Sequence, residues 1–354
     1  QEISCLSVSG SGTALSWSVS FPSQSSLPFI EPGSGYENPV ITELRMVTKG
    51  AHSSSLSTVG NERVLFVGTG FGKIDTVALR VVYGTYLAQD CSVVKDHVAI
   101  ECSTAPGVGG NMTVAVSIGP FGFPLSIATT SLPITNRSLD ISYQNPVLTE
   151  VSGPAMLSAA TVGDDSVILR GQGFGPSVRC DSDCRTTGIC NNGDVSRPEV
   201  AYGPKGSSSA RYAARCCEVL NDNQISCLTA PGTGSELSWQ ASIGGQFSQV
   251  IETSTRYASP VIGSYAGDGA QNADTEGGQV VHLNGINFGP AGNAGIDAIS
   301  FGPVNGTEYS MPADACAVSV EHVRITCTTP RGAGSNLKWI LVIDGQQSSV
   351  PTTA

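Results

Sequence analysis

Residues 225–239 read Ile225-Ser226-Cys227-Leu228-Thr229-Ala230-Pro231-Gly232-Thr233-Gly234-Ser235-Glu236-Leu237-Ser238-Trp239. The same phrase, Ile-x-Cys followed by a Gly-rich turn and a strand that carries Trp, returns at residues 325–339 and, in altered form, at residues 3–17. A fourth copy, at residues 100–114, carries Val114 where the others have Trp. Self-similarity of this kind indicates a tandem array of like modules. Because the first copy lacks what precedes the phrase elsewhere, we expect Gln1 to lie inside a module.

The composition favours short strands over helices. Of 354 residues, 42 are Gly and 13% are charged, which suits many strands joined by Gly-rich turns. No apolar run reaches the roughly 18 residues that a membrane span needs, so we expect no direct membrane insertion of this segment. The net charge of −11 argues against nucleic acid as a partner, because its backbone is also negative.

Cysteines and glycosylation acceptors indicate the compartment. The sequence has 11 cysteines and three Asn-x-Ser/Thr acceptors, at Asn111, Asn136 and Asn305. Paired cysteines beside such acceptors are typical of oxidising environments. We therefore expect an extracellular or cell-surface protein with N-linked glycans, secreted through a eukaryotic secretory pathway.

Each module opens with Tyr-x-x-Pro. The motif begins at Tyr36, Tyr143 and Tyr257, and the successive spacings of 107 and 114 residues match the size of one immunoglobulin-like sandwich. The predicted domains are the C-terminal part of a truncated module at 1–35, and modules at 36–142, 143–256 (with a Cys-rich insertion at 178–193) and 257–354.

Two aromatic positions recur inside the modules. A Phe follows each strand that ends in a Gly-rich corner, and we expect it to plug the core: Phe71, Phe174 and Phe288. The three tryptophans share one register, and we expect them to be packed or half packed on a sheet face, with a ligand platform as the alternative: Trp17, Trp239 and Trp339.

Three pairs of cysteines are each eleven residues apart: Cys91 and Cys102, Cys216 and Cys227, and Cys316 and Cys327. The midpoint of each pair is polar, so a turn there would place the cysteines across from each other on two strands. The spacing predicts three hairpin disulfides, each worth roughly 3 kcal/mol in the chain-entropy model. Free buried thiols are the alternative.

The order of these motifs resembles the IPT/TIG family of immunoglobulin-like domains. The matching residues are the strand into Gly-x-Gly-Phe-Gly or Asn-Phe-Gly-Pro, then Ile-x-Cys-x-x-Pro-x-Gly-x-Gly, then the closing Trp or Val strand. The resemblance covers nearly the whole chain and implies an all-β fold of seven-stranded antiparallel sandwiches in a linear array. The family has intracellular members in transcription factors and extracellular members that form tandem arrays in plexin-like, fibrocystin-like, microbial and algal surface proteins. The hairpin disulfides and the glycosylation acceptors favour the extracellular group.

The middle module departs from this pattern. It adds Cys180, Cys184, Cys190 and Cys217, which we expect to form two local disulfides whose pairing the sequence leaves open. A zinc site is the alternative, but the gap between Cys184 and Cys190 and the oxidising compartment disfavour it. Cys5 is then unpaired within the chain, since its partner by the repeat rule would lie upstream.

We expect no catalytic, cofactor-binding or metal-ligating residues in this chain. The histidines His52, His97, His282 and His322 are scattered, and those at 97 and 322 fall at equivalent turns. The stretch 68–73 imitates a phosphate-binding loop but has Val67 and Ile74 where that motif needs Gly and Ser or Thr. The acidic loop 268–276 is either a solvated turn or a calcium site, although it lacks the ligand spacing of a known calcium loop.

The sequence therefore predicts a non-enzymatic structural component of an extracellular filament, appendage or surface coat. Its partners would be copies of itself or neighbouring modules of the same longer chain. The alternative is a receptor or adhesion ectodomain that binds a protein or glycan ligand, and an accessory region of a larger secreted enzyme is a third reading. The half-module at 1–35 has three explanations: a segment cut from a longer array, completion by another subunit through strand donation, or proteolytic trimming.

Overall fold

The computed structural model describes residues 2–47, 55–74, 79–118, 141–180, 184, 197–205, 211–293 and 295–349, and the backbone of 126–129. The chain divides into two compact units. One comprises Gln1–Asn145 with Gly244–Gln246, and the other comprises Pro146–Ile243 with Phe247–Ala354. The described residues are arranged almost entirely in strands, turns and loops.

The N-terminal segment forms two small strand pairs. β1 (Ser16–Trp17) pairs with β4 (Phe29–Ile30), and β2 (Ser20–Phe21) pairs with β3 (Gln24–Ser25). Trp17 is 52% exposed here, so it is only half packed on its sheet face, which lies within the expectation for the tryptophans.

The first sandwich completes the first unit. Its strands are β5 (Val40–Met46), β6 (Ser55–Leu56), β7 (Arg63–Thr69), β8 (Leu79–Tyr83), β9 (Tyr86–Leu87), β10 (Gln89–Lys95), β11 (Ala99–Ser103), β12 (Val114–Ile118) and β13 (Ser126–Thr129). One sheet has the order β10-β11-β7-β5 and the other the order β13-β12-β8-β9. β14 (Ser142–Tyr143) pairs in parallel with β6.

The second sandwich lies almost wholly in the second unit. Its strands are β15 (Val147–Ser152), β16 (Ser166–Gln172), β17 (Pro198–Pro204), β18 (Tyr212–Ala213), β19 (Arg215–Asn221), β20 (Gln224–Leu228), β21 (Leu237–Ile243), β22 (Gln246–Phe247) and β23 (Ile251–Glu252). The sheet orders are β15-β16-β20-β19 and β18-β17-β21-β22, with β23 also paired to β21.

The third sandwich repeats the plan. Its strands are β24 (Val261–Ala266), β25 (Val280–Ile286), β26 (Ile296–Gly302), β27 (Tyr309–Met311), β28 (Cys316–Val320), β29 (Arg324–Thr328), β30 (Lys338–Ile343) and β31 (Gln346–Gln347), with a 3-10 turn at Ala313–Ala315. The sheet orders are β24-β25-β29-β28 and β27-β26-β30-β31.

These strand orders are those of an immunoglobulin-like sandwich. In each copy the first two long strands and a later hairpin form one sheet, and the other long strands with a short edge strand form the sheet opposite. Burial alternates along the strands, as in β30, where every second residue from Trp339 to Ile343 is buried. Period-two alternation is what a sheet with one covered face requires. The predicted all-β, tandem immunoglobulin-like fold is confirmed.

The Gly-rich corner is explained by a close approach of two strands. A Cβ on Gly171 would lie 1.9 Å from the Val147 carbonyl oxygen and 2.6 Å from the ring of Phe174. The corresponding glycines of the other sandwiches, Gly68 and Gly285, are equally crowded. The repeated phenylalanines are buried in the core, as expected: Phe71, Phe174 and Phe288.

Two of the three predicted hairpin disulfides are present, and one pairing is wrong. Cys91–Cys102 and Cys316–Cys327 are bonded as predicted, whereas Cys227 is bonded to Cys217 instead of Cys216. In all three bonds the Cα atoms are 4.1 Å apart. Cys5 is free and exposed.

A bulge and a shortened hairpin account for this error. The register of β19 on β20 shifts between Arg215 and Glu218, and Cys216 has a φ of 51° within that bulge. The bulge leaves Cys217 opposite Cys227, and Cys216 bonds to Cys184. The bonded cysteines of the second hairpin are 10 residues apart instead of 11. Cys216 happens to lie 11 residues before Cys227, so the spacing indicated the wrong partner. Cys180 is also disulfide-bonded, and Cys190 lies outside the described residues.

The revised pairing predicts different behaviour for two neighbouring substitutions. C216S should release the thiol of Cys184 and leave the hairpin bond intact, at a cost of about 3–4 kcal/mol in the chain-entropy model because the bond it removes closes a loop of 32 residues. C217S should release Cys227 and lower the free energy of unfolding of the second sandwich by about 3 kcal/mol. Thiol alkylation under non-reducing conditions, followed by peptide mass spectrometry, identifies the released cysteine. Release of Cys227 by C216S would contradict the pairing.

Candidate functional site

In each of the first two sandwiches, a tyrosine that follows the strands in sequence folds back and bonds to that same sandwich. The hydroxyl of Tyr143 donates to the Ala105 carbonyl at 2.8 Å, and that of Tyr257 donates to the Ala230 carbonyl at 2.6 Å. Each acceptor precedes the Pro-Gly-x-Gly turn. Tyr36 makes the same bond, at 2.6 Å, to Val8 of the N-terminal segment. The sequence showed this tyrosine as a module start but gave no indication of its acceptor.

Tyr257 lies at the centre of a buried aromatic group. It is 1% exposed, and its hydroxyl is 2.7 Å from that of Tyr202. The ring of Tyr202 stacks on Trp239 with centroids 4.1 Å apart. The indole N–H of Trp239 in turn donates to Thr255 Oγ1 at 2.8 Å. Trp239 is therefore packed, as the structural interpretation of the tryptophans predicted.

The turn beside each tyrosine has no space for a side chain. A Cβ on Gly232 would lie 2.9 Å from the ring of Tyr257, and one on Gly107 would lie 2.6 Å from the hydroxyl of Tyr143. The tyrosine backbone also forms a parallel bridge, from Tyr143 to Leu56 and from Tyr257 to Ala159. Ring, hydroxyl and backbone are thus all held by the preceding sandwich.

Burial shifts the titration of this group. Desolvation raises the pKa of Tyr202 to about 12. It raises the pKa values of Tyr143 and Tyr257 in the same direction, and the adjacent tyrosine hydroxyls add to the effect. The folded protein consequently retains phenolic protons that an unfolded chain loses near pH 10.

Alkaline pH should therefore destabilise the sandwiches. The folded-state pKa of Tyr202 is raised, so its contribution is fully present below about pH 10 and is lost as pH rises towards 12. The free energy of unfolding should fall by up to about 1.4 kcal/mol per pH unit for each tyrosine that stays protonated. Denaturant titrations at several pH values from about 8 to 11.5 measure this slope. A slope of zero above pH 10, or one unchanged by Y202F, would contradict the assignment.

Polar side chains join the second and third sandwiches within the second unit. Gln346 is 7% exposed; its Oε1 accepts from the Gly234 N–H at 3.2 Å, and its Nε2 donates to the Tyr257 carbonyl at 2.9 Å. Within the first unit, Gln246 makes the same pair of bonds, to the Gly109 N–H at 3.2 Å and to the Tyr143 carbonyl at 2.9 Å.

An ion pair reinforces the contact between the second and third sandwiches. Arg211 Nη1 lies 2.5 Å from Asp344 Oδ1, and the side chain of Asp344 is 7% exposed. The other carboxylate oxygen of Asp344 accepts a hydrogen bond from the hydroxyl of Thr233. His322 Nδ1 is hydrogen-bonded to Thr161 Oγ1 at 3.0 Å, so this turn histidine contacts the neighbouring sandwich.

The third sandwich has a cavity at the position that a tyrosine fills in each of the first two sandwiches. The cavity has a volume of about 300 Å³, and its lining includes Phe301, Trp339, Tyr265, Gly332 and Ala273. Phe301 stacks on Trp339 with centroids 4.6 Å apart, and Trp339 is 4% exposed. Phe301 and Trp339 therefore form the same stacked aromatic floor in the third sandwich that Tyr202 and Trp239 form in the second.

The remaining predicted sites are placed as follows. Asn111 and Asn305 are exposed, whereas Asn136 and His52 lie outside the described residues. His282 Nδ1 is hydrogen-bonded to Thr326 Oγ1 at 2.9 Å. In the acidic loop, Asp274 Oδ1 accepts the Glu276 N–H at 3.0 Å, an ordinary turn contact.

Among the described residues, no group of three or more His, Cys, Asp or Glu side chains could hold a metal ion. In the same part of the chain, no helix is long and apolar enough to cross a membrane.

Solved structures similar to this chain include a plexin extracellular region and a surface glycan-binding protein. A structure with a xylogluco-oligosaccharide matches at 14% identity and a TM-score of 0.32, over 88% of this chain and 59% of that chain. The extracellular region of plexin A4 matches at 13% identity and a TM-score of 0.23, over 88% of this chain and 24% of that chain. A surface glycan-binding protein, PbSGBP-B of Prevotella bryantii, matches at 10% identity and a TM-score of 0.35, over 90% of this chain and 96% of that chain.

These similarities are weak. The chain spans 59% and 24% of the first two structures it matches. No protein-family model matches the sequence. No curated protein sequence matches it either. The strand order of the three sandwiches, rather than any of these similarities, establishes an immunoglobulin-like tandem fold.

Proposed function

We propose that this chain is a non-enzymatic structural segment of an extracellular filament, appendage or surface coat, built from modules of the IPT/TIG type. The observation that carries the proposal is the contact between the second and third sandwiches. There Tyr257, Gln346 and Asp344 of the third module are buried against the second sandwich. Such a contact suits a structural protein that transmits force along a filament or fixes the distance between neighbouring modules.

The energetics of this contact oppose bending. Rotation of one sandwich against the other would break the two backbone bonds of Gln346 and would separate Asp344 from Arg211. Buried polar groups that lose their partners cost about 1–3 kcal/mol each, and more when charged. Restricted hinge motion follows for this pair of sandwiches.

The location follows from chemistry on the surface and in the hairpins. Four described disulfides indicate an oxidising compartment. The exposed Asn111 and Asn305 are open to N-linked glycosylation. We place the protein outside the cell, after passage through a eukaryotic secretory pathway, with further modules of the same kind as its partners.

Electron microscopy of the native material tests the structural role. Regular filaments or a regular coat, with density for these sandwiches repeating along it, are the expected result. Isolated particles that never associate at any concentration would contradict the proposal.

A receptor or adhesion role is the second candidate, and one observation favours it. The cavity of the third sandwich is lined by Tyr265, Phe301 and Trp339, and aromatic rings with a few polar groups are typical of ligand pockets. Because two of the similar structures are a xylogluco-oligosaccharide complex and a surface glycan-binding protein, xyloglucan oligosaccharides are the ligands to test. Titration calorimetry with W339F as the comparison would show binding weakened by the substitution. Absence of binding at millimolar oligosaccharide would remove this candidate.

A further inference from the structure

We infer that the cavity of the third sandwich is a docking site for an extended Tyr-x-x-Pro segment presented by a further module. This inference rests on the proposed structural role and names the partner at that site. The occupant is identified by the two other sandwiches, where Tyr143 and Tyr257 fill the corresponding position.

The loops around the cavity already have the shape that receives a tyrosine. The Gly332 N–H donates to the Thr275 carbonyl at 3.0 Å, as Gly232 does to Thr161 at 2.9 Å. The turn is also clamped by Tyr309, whose hydroxyl donates to the Ala333 carbonyl at 2.8 Å. Tyr212 and Tyr86 clamp the corresponding turns in the same way, so the third site is preformed.

The floor of the cavity offers the matching ring surface. Phe301, 4% exposed, holds the position of Tyr202 and is stacked on Trp339 as Tyr202 is on Trp239. An incoming tyrosine ring would lie against Phe301, with its hydroxyl donating to the carbonyl of Pro330, which corresponds to Ala230.

The edge of the cavity offers a backbone partner as well. Leu56 and Ala159 form parallel bridges to the closing tyrosines and are 0% and 2% exposed. Ala273 is their counterpart, four residues before Gly277 as Ala159 is before Gly163, and it is exposed. The docked segment would cover Ala273 and pair with it in parallel.

Gly332 separates this site from the filled ones. In the second sandwich a Cβ on Gly232 would lie 2.8 Å from Tyr212 and 2.9 Å from Tyr257, whereas at Gly332 the nearest atom is 3.5 Å away, on Tyr309, the counterpart of Tyr212. G332A should therefore fold normally and yet obstruct a tyrosine. G263A is the matched control, because a Cβ at Gly263 on β24 meets its nearest atom at 3.6 Å and lies outside the cavity lining.

The test is calorimetric titration of the whole chain with a capped synthetic peptide of residues 254–261, Ser-Thr-Arg-Tyr-Ala-Ser-Pro-Val. We expect saturable binding that quenches or shifts Trp339 fluorescence, at least tenfold weaker for the peptide with Tyr257→Ala. G332A should weaken binding by a similar factor, and G263A should leave it unchanged.

Two results would overturn the inference: absence of binding by the tyrosine peptide, or equal binding to G332A and the unsubstituted protein. Binding of a glucan oligosaccharide without binding of the peptide would also overturn it, in favour of the ligand-pocket role. The peptide with alanine needs no protein variant, so the test holds even where G332A fails to fold. If the peptide does not bind, only the docking inference fails, because the structural role is tested separately by electron microscopy.

Discussion

Replacing Tyr257 by alanine is expected to lower the free energy of unfolding of the second sandwich by about 3–5 kcal/mol, the range for truncating a large buried aromatic side chain. Tyr257 is 1% exposed, and its ring lies edge-on to Tyr212 with centroids 5.8 Å apart. Its removal leaves a cavity beside Gly232 and deprives the Ala230 carbonyl of its shorter donor, with the longer bond from Tyr202 at 3.5 Å remaining. The transition of the second sandwich in differential scanning calorimetry should shift to lower temperature.

The phenylalanine variant separates the ring from the hydroxyl. Y257F keeps the packing but leaves Tyr202 and the Ala230 carbonyl without this partner, so we expect a loss of about 1–3 kcal/mol. The third sandwich carries its own core, and its transition should move less than that of the second. If Y257A left the second sandwich unchanged, the tyrosine would not be what closes it.

Replacing Asp344 by asparagine is expected to weaken the contact between the second and third sandwiches by about 2–3 kcal/mol. Breaking a fully buried pair costs about 3–5 kcal/mol, and the value is reduced here because the Arg211 side chain is 25% exposed. Asparagine tolerates the φ of 45° at this position, so the substitution tests the charge without straining the backbone. The measurement is the coupling between the two unfolding transitions, which should separate in D344N.

A double-mutant cycle with R211M isolates the pair. The combined variant should lose less than the sum of the single variants, because each single change already breaks the pair. The exposed pair of Arg331 and Glu276, with side chains 81% and 72% exposed, is the matched control. E276Q should change stability by less than about 0.5 kcal/mol. Equal effects of D344N and E276Q would show that the junction pair has no special role.

Much of the fold could be predicted from local patterns. The Phe residues and glycines of the strand corner follow from the repeat, because a close approach of backbones requires Gly wherever the module recurs. Cys91–Cys102 and Cys316–Cys327 were predictable from the same repeat. The pairing of Cys217 was not, because the second hairpin is one residue shorter than the others and so places Cys217, instead of the adjacent Cys216, opposite Cys227.

The candidate site was harder to predict because it joins distant residues. Ala230 and Tyr257 lie 27 residues apart, and neither residue type indicates a contact. A signal was nonetheless present. The hairpins 244–246 and 344–346 both end in Gly-Gln, and Gln246 and Gln346 make equivalent bonds. Trp17 shows the converse, since a residue in the right register stays half exposed where no sheet is described against it.

The most direct test of the central claim is the distance distribution between the second and third sandwiches. Spin labels carried on noncanonical residues at the exposed positions Val162 and Val304 avoid the disulfides, and pulsed electron resonance reports the distribution. We expect one narrow distribution in the unsubstituted protein and a broader one in D344N. A distribution that is broad in the unsubstituted protein would show that the two sandwiches move independently, and it would contradict the account.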